Sequence, residues 1–341
     1  MSTAKSYRRI ATEEAFSVPE QMNAMREILA KATDYDPDLA LWRSMSAPEG
    51  TIHRMLLDLE GERLRIMDRD GVSMHLLSLT ATGVQMLDPD RAAEVAVAAN
   101  DQLAAVIQRH PHRFAGLATV PPQDPRRAIA ELERAIRKLR LNGVIINSHT
   151  NGEYLSEQKY WPLLEAIADL DVPLYLHPRA PLPAMAAAYR HYELEHAIWG
   201  FQAETSLHAL HLIISGVFDR IPKLKVVLGH MGEGLPFWLY RLDYMHGFVA
   251  MKFNRPQLKQ RPSDYFRQNF LITTSGMNWD PALQFCISVL GADNIMWAID
   301  YPYQESREAT EFMNRAPISE EDREKIFHRN AERVFHIAPA D

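Results

Sequence analysis

The sequence lacks the features that would assign it to several large protein classes. It has one cysteine, Cys286, in 341 residues, which excludes an internal disulfide and suits a reducing cytoplasm. No apolar run reaches the ~18–20 residues that a bilayer-spanning helix needs. Residues 1–9 (MSTAKSYRR) lack the apolar stretch of a signal peptide. There is no basic excess, since the formal net charge is −7, so nucleic acid is not an expected partner and neither is a membrane. Internal repeats, low-complexity segments and clean linkers are also missing, and a single domain over residues 1–341 is expected. What is present, 47% hydrophobic and 24% charged residues, describes a cytoplasmic globular protein with an ample core.

Short apolar runs recur along the chain, separated by longer stretches with helical spacing. Strands are expected near 9–12, 74–80, 114–120, 144–148, 174–177, 225–230, 270–274 and 295–300. Helices are expected over 90–109, 125–139, 160–170 and 204–217. Within the second of these, Ile129, Leu132, Ile136 and Leu139 recur at three- and four-residue steps, as a helix buried on one side requires. Asp124-Pro125 reads as an N-cap followed by proline in the first turn. About eight strands alternating with helices predict an α/β fold, a single (β/α)8 TIM-like barrel, with an open doubly wound sheet as the alternative. Three stretches fall outside the repeat. Residues 17–54 are expected as helical insertions over the C-terminal mouth of the barrel. Residues 178–203, with Pro178, Pro181 and Pro183, begin as a loop, and 255–262 is irregular.

Barrel enzymes carry their chemistry at the C-terminal ends of the strands. Here those ends offer Glu13-Glu14, Thr80, Asn147-Ser148-His149, His177, His230 with Glu233, and Asp300-Tyr-Pro-Tyr303. Each alone has an ordinary explanation: a histidine satisfied structurally, Asp300 capping the next helix, solvated Glu13 and Glu14. Together, carboxylates and imidazoles at four strand ends suit a divalent ion such as Zn²⁺ or Mn²⁺, held by about three protein ligands with positions left open. In Gly229-His230-Met231-Gly232-Glu233 the carboxylate can orient the imidazole and raise its basicity, or serve as an acidic helix start. Other features read as structural. Leu207, Leu210, Ile214 and Val217 form an expected core-facing stripe, with His208 and His211 beside it not ligands. Phe237-Trp-Leu-Tyr240 suits core or a subunit interface, the methionines and Cys286 read as core, and Ser319 caps a solvated helix start.

The segments 11–16 (ATEEAF), 120–125 (VPPQDP), 146–150 (INSHT), 174–178 (LYLHP), 228–233 (LGHMGE), 238–243 (WLYRLD) and 298–302 (AIDYP) carry a resemblance that covers nearly the whole chain. They resemble the amidohydrolase-superfamily aromatic-acid decarboxylases, the group containing γ-resorcylate, 2,3-dihydroxybenzoate and 5-carboxyvanillate decarboxylases. The resemblance implies Glu13, His177 and Asp300 as metal ligands and His230 with Glu233 as an active-site pair. It implies that Arg241 reaches the site of a neighbouring subunit, hence a homodimer or homotetramer. Many relatives have Glu-x-His near the start, whereas this chain has Glu13-Glu14-Ala15, and alanine cannot ligate. A three-ligand site looks like the 5-carboxyvanillate branch and its use of Mn²⁺, with Zn²⁺ as the second choice. Thr80, Asn147 and Tyr303 fall where substrate contacts are expected. Arg43 and Arg54 are candidates to bind a carboxylate, Arg54 the better placed.

The expected activity is metal-dependent, non-oxidative decarboxylation of an ortho-hydroxy aromatic acid in aromatic-compound catabolism. Asp300 is the expected proton donor, with His230 and Glu233 positioning the phenolate. The alternative keeps the site but uses activated water to hydrolyse a lactone or ring-cleavage product. A third reading is a non-catalytic metal- or ligand-binding module.

Overall fold

Eight parallel strands form one sheet in the order of the chain: β1 (Ile10–Phe16), β2 (Met74–Leu79), β3 (Phe114–Thr119), β4 (Gly143–Asn147), β5 (Leu174–His177), β6 (Val226–Leu228), β7 (Phe270–Thr273) and β8 (Ile295–Met296). The structure, a computed structural model, describes residues 7–253 and 257–339. The first and last strands are joined by Thr12 N donating to Trp297 O (3.1 Å) and Ala15 N donating to Tyr301 O (2.7 Å). The result is the nearly closed barrel that the alternation predicted, with helices between successive strands.

Every strand is buried on both faces, and the residues divide accordingly. Alternate side chains, among them Ile10, Leu76, Ile145, Tyr175, Val227 and Met296, fill the barrel interior. Phe335 and Ile337 from the end of the chain join the same cluster. Residues one step out of phase, such as Leu77, Val144, Leu176 and Leu228, pack against the surrounding helices. The period of two along each strand therefore serves two cores at once.

Three helices begin alike. Asp36, Asp88 and Asp124 precede Pro37, Pro89 and Pro125, and each aspartate accepts from two backbone amides of the first turn. The aspartate satisfies amides that the turn leaves free, and proline presets φ where no donor is needed. The 125–139 expectation is met by a helix over Pro125–Arg137, with Leu132 buried and Ile129 and Ile136 packed at its flanks.

The 17–54 interval is helical, as expected, with helices Pro19–Lys31, Pro37–Met45 and Thr51–Leu57. Side chains attach it to the mouth of the barrel. Gln21 donates to Thr80 O and Gly83 O, both at 3.0 Å. Asp38 accepts from Arg179 Nε (2.9 Å) and Nη2 (2.6 Å) in a buried pair that ties the excursion to the loop after β5. Trp42 is fully buried beneath it. Residues 178–199 hold only the short helix Pro183–Ala186 and one 3₁₀ turn. Of the irregular 255–262 stretch, 255 and 256 lie outside the described residues, and regular structure resumes with the helix Pro262–Asn269. Among the described residues no helix is long and apolar enough to cross a membrane.

The helix Gly200–Ile214 reverses one expectation. Leu207 and Ile214 do not face the core; they line an open groove with Trp238, and Ile214 is exposed, whereas Val217 is buried as expected and Leu210 touches both the groove and the core. The buried face is instead Glu204, Thr205, His208, Ala209, Leu212 and Ile213. Apolar residues occupy both faces of this helix, so periodicity cannot choose between them. Hydrogen bonds decide it: Glu204 accepts from Ser148 Oγ (3.1 Å) and His208 accepts from Leu155 N (3.0 Å). Phe237, Trp238 and Tyr240 are exposed near the same groove, whereas Leu239 is buried.

The Asp38–Arg179 pair gives a direct stability test. Asp38→Ala leaves a buried guanidinium unpaired and should destabilise the fold by about 3–5 kcal/mol. Adding Arg179→Met should restore part of that loss, read as a non-additive shift in urea unfolding followed by tryptophan fluorescence.

Candidate metal centre and active site

The site begins with an irregularity in β1. Ile10 and Ala11 stand opposite Met74 and His75, but Glu14 and Ala15 stand opposite Leu77 and Ser78, so three steps on β1 match two on β2. Counting by twos from the inward-facing Ile10 would aim Glu14 into the barrel. The bulge inverts the alternation and turns Glu13 inward instead. Both carboxylates are buried, so neither is the solvated surface group that the sequence allowed.

Glu13 meets a set of hydroxyls presented by the opposite wall. Its Oε2 accepts from Tyr175 OH (2.6 Å), Thr273 Oγ1 (2.9 Å) and Ser275 Oγ. Its Oε1 is buried and has no hydrogen-bond partner. That bare oxygen lies 3.5 Å from His177 Nε2 and 3.9 Å from His230 Nε2. A carbonyl can only accept, so the 2.8 Å contact from His177 Nδ1 to Pro178 O places the proton on Nδ1. The Nε2 lone pair is thereby free for the cluster. Asp300 Oδ2 is 3.7 Å from His230 Nε2. One ligand atom each from Glu13, His177 and Asp300 can be chosen with all separations within 4.8 Å. Metal–ligand bonds of about 2.0–2.2 Å fit that spacing. The orphaned Oε1 and the mixed carboxylate–imidazole donors fit a divalent ion of the Mn²⁺ or Zn²⁺ kind.

The His230–Glu233 turn is not an ordinary helix start. His230, Met231 and Glu233 have φ of 49°, 55° and 55°, conformations that cost about 1–3 kcal/mol each in a non-glycine residue. The turn brings His230 Nδ1 to 2.8 Å from Glu233 Oε1, while the His230 amide donates to Ser275 Oγ at 3.0 Å. Burial would depress the imidazole, but Glu233 and Glu13 outweigh it and raise His230 well above its ordinary value. For Glu13, burial works upward, yet the charges of His230 and His177 and the hydroxyl donors hold it below the usual carboxylate range. Asp300 goes the other way: burial raises it, and His230 only partly offsets this. Two carboxylates in one cluster are thus driven apart, one toward the charged form and one toward the neutral acid.

Around this cluster, Thr80 Oγ1 and Tyr303 OH are 2.5 Å apart, and Met45 Sδ lies 3.3 Å from the same phenol. Asn147 is buried with its Oδ1 unpartnered. His149, beside it in sequence, instead bonds to Ala180 O at 3.1 Å and is pushed down to about 3 by burial and by the nearby Arg179 charge. Arg43 and Arg54 are exposed on the excursion, and among the described residues neither side chain makes a hydrogen bond or ion pair. Arg241 is exposed on the helix Leu235–Phe253 and lines the groove that Glu233 also reaches. Tyr175, Thr273 and Ser275 were not singled out from the sequence. The period of two carried the signal, because Tyr175 shares a face with His177 and Thr273 shares one with Ser275.

Comparison with known proteins gives a consistent result. A family model described as amidohydrolase matches residues 35–337. The chain is 39% identical to a γ-resorcylate decarboxylase of Polaromonas sp. over 96% of this chain and 98% of that one. The crystal structure of 5-carboxyvanillate decarboxylase from Sphingomonas paucimobilis superposes with a TM-score of 0.94 at 48% identity, covering 98% of this chain and 100% of that one. The enzyme of the same name from Novosphingobium aromaticivorans, complexed with manganese and 4-hydroxy-3-methoxy-5-nitrobenzoic acid, gives 0.94 at 40% identity, over 97% and 96% of the two chains.

Gly229 offers a test of the cluster that leaves its ligands in place. Its φ of −69° suits any residue, so space rather than conformation requires glycine. A Cβ there would fall 2.6 Å from Glu13 Oε1 and 2.7 Å from Oε2. Gly229→Ala should therefore displace the Glu13 carboxylate and weaken Mn²⁺ binding by at least about 10-fold, with little change in circular dichroism. Calorimetric titration of chelator-stripped protein with Mn²⁺ checks it, and unchanged affinity would show that Glu13 does not hold the ion.

Proposed function

The chain belongs to the amidohydrolase family, and we propose that it is an aromatic-acid decarboxylase acting on an ortho-hydroxy acid of the 5-carboxyvanillate kind. The observation that carries this reading is the cluster of Glu13, His177 and Asp300, with its bare Glu13 oxygen, beside the Thr80–Tyr303 contact. Glu13, His177 and Asp300 would hold a divalent ion, Mn²⁺ ahead of Zn²⁺. Such an ion would supply Lewis acidity toward the anionic substrate.

The residues then account for the proton. Breaking the aryl–carboxylate bond first would leave a localised aryl anion, so protonation comes first. Asp300, raised by burial, delivers its proton to the ring carbon that bears the carboxylate, and the ortho phenolate supplies the electron pair for the new C–H bond. The bond to the carboxylate then breaks, its pair restores the aromatic ring, and CO2 leaves. Asp300 regains a proton from solvent. No oxidant takes part and no water is consumed, unlike the hydrolytic alternative. His230, held charged by Glu233, positions and stabilises the phenolate. Thr80, Asn147 and Tyr303 surround the ring substituents, and Arg54 from the excursion meets an anionic group.

We assign Arg241 to the site of a second copy. The groove it lines holds about 670 Å³, and Trp199, Leu207, Leu210, Ile214 and Trp238 make it apolar. Exposed Phe237, Tyr244 and Phe248 enlarge the face, and faces of this character are commonly interfaces. Glu233 at the groove wall makes the interface continuous with the active site. The reading is of a cytoplasmic homo-oligomer in which residues 1–341 act as one barrel domain.

Two measurements test these points. Mn²⁺-loaded enzyme should convert 5-carboxyvanillate, or another ortho-hydroxy acid in a small panel, with stoichiometric CO2. In D2O one deuterium should appear at the carbon that lost its carboxylate. Asp300→Asn should lower kcat by about 10²–10⁴-fold; release of no CO2 by metal-loaded wild type would reject the reaction. Sedimentation should find a dimer or tetramer, with Leu210→Arg dissociating it and reducing turnover together. A fully active monomer would refute the shared site.

A further inference from the structure

The seam between β8 and β1 contains a side chain where a barrel ordinarily uses main chain. Glu14 Oε1 accepts from Ile299 N at 2.9 Å, and Oε2 accepts from Tyr301 N at 3.0 Å. These are the amides on either side of Asp300. The bulge that turns Glu13 inward turns Glu14 toward β8, so one irregularity sets both carboxylates.

Asp300 needs such support. Its φ is 78°, a conformation that residues other than glycine rarely hold without constraint. Its carbonyl is fixed on the far side by the amides of Tyr303 (2.8 Å) and Gln304 (3.0 Å). On the near side, the Glu14 carboxylate grips the preceding and following amides together. Beneath it Arg63, fully buried, donates to Ala15 O at 2.7 Å and lies 4.4 Å over the Tyr301 ring. Its charge and packing steady both partners of the clasp.

We infer that Glu14 is a positioning residue for the reaction: by clasping the two amides that flank Asp300, it sets the direction of the Asp300 carboxylate toward His177, Glu13 and His230. The inference rests on the reading of Asp300 as ligand and proton donor. A residue acting this way touches neither substrate nor ion, yet it governs both through Asp300. Replacing groups that orient a ligand in this manner typically costs about 10–100-fold in metal affinity or activity.

The test compares Glu14→Gln, which keeps the shape but replaces one acceptor oxygen with a donor, with Glu131→Gln. Glu131 is also buried and pairs with Arg134 (2.7 Å) and Asn100 (2.6 Å) away from the site. Chelator-stripped Glu14→Gln should bind Mn²⁺ at least about 10-fold more weakly by calorimetry. Its kcat should fall about 10²-fold, with KM within twofold of wild type. Glu131→Gln should lower the melting temperature while leaving Mn²⁺ affinity and kcat within twofold. Wild-type-like affinity and kcat in folded Glu14→Gln would overturn the inference. Should that variant fail to fold, Glu14→Asp, one methylene too short to reach both amides, is titrated in its place, and undiminished Mn²⁺ affinity there overturns it equally. The titration needs no substrate, so it remains decisive even if the wild type released no CO2, an outcome that would count against the decarboxylase reading alone.

Discussion

A buried carboxylate oxygen without a partner is the constraint on which this structure turns. Glu13 Oε2 has three hydroxyl donors from β5, β7 and the residue pair beyond it, while Oε1 has none. Water-free burial of a bare anionic oxygen is unfavourable unless a cation or donor completes it. The donors on one oxygen fix the direction of the other. The barrel wall thereby aims that oxygen into the space it shares with His177 and Asp300. A divalent ion there would find its donors already oriented.

The cluster is held by local backbone strain within a rigid frame. Asp300, His230 and Glu233 all occupy left-handed conformations at or beyond strand ends, where the chain has left the ladder and can turn a side chain inward. The strands behind them carry fully buried aliphatic residues on both faces, and that packing offsets the local cost. The excursion before β2 adds a separate wall. Met45 touches the Tyr303 hydroxyl, and Gln21 and the Asp38–Arg179 pair anchor the excursion to the loops after β2 and β5.

Most of the frame was legible in the sequence because it depends on period and punctuation. Strands with apolar residues on both faces, Asp-Pro helix starts, and polar residues at strand ends led to the barrel and to Glu13, His177, His230, Glu233 and Asp300 as residues of one mouth. What escaped were features set by single departures from the pattern. Alternation from Ile10 points to Glu14, and only the bulge, a property of pairing between strands, selects Glu13. The helix Gly200–Ile214 has apolar residues around most of its circumference, and its core face was chosen by hydrogen bonds from Ser148 and Leu155 that no helical period encodes. The hydroxyl of Tyr175 was readable in principle, since it shares a face with His177, but Thr273 and Ser275 share a face only with each other, and hydroxyls in a strand have ordinary roles too. The preference for Arg54 over Arg43 rested on its place near the return to the barrel, and both lie exposed on a long insertion whose path the local sequence does not determine.

The filled barrel interior has a further consequence for traffic. Ile10, Leu76, Val227 and Met296 close the space beneath Glu13, and Phe335 with Ile337 plug it from below. The barrel axis is closed at that end. Whatever reaches Glu13, His177 and Asp300 therefore comes and goes on the side where the strands end, and nothing is threaded through the barrel axis.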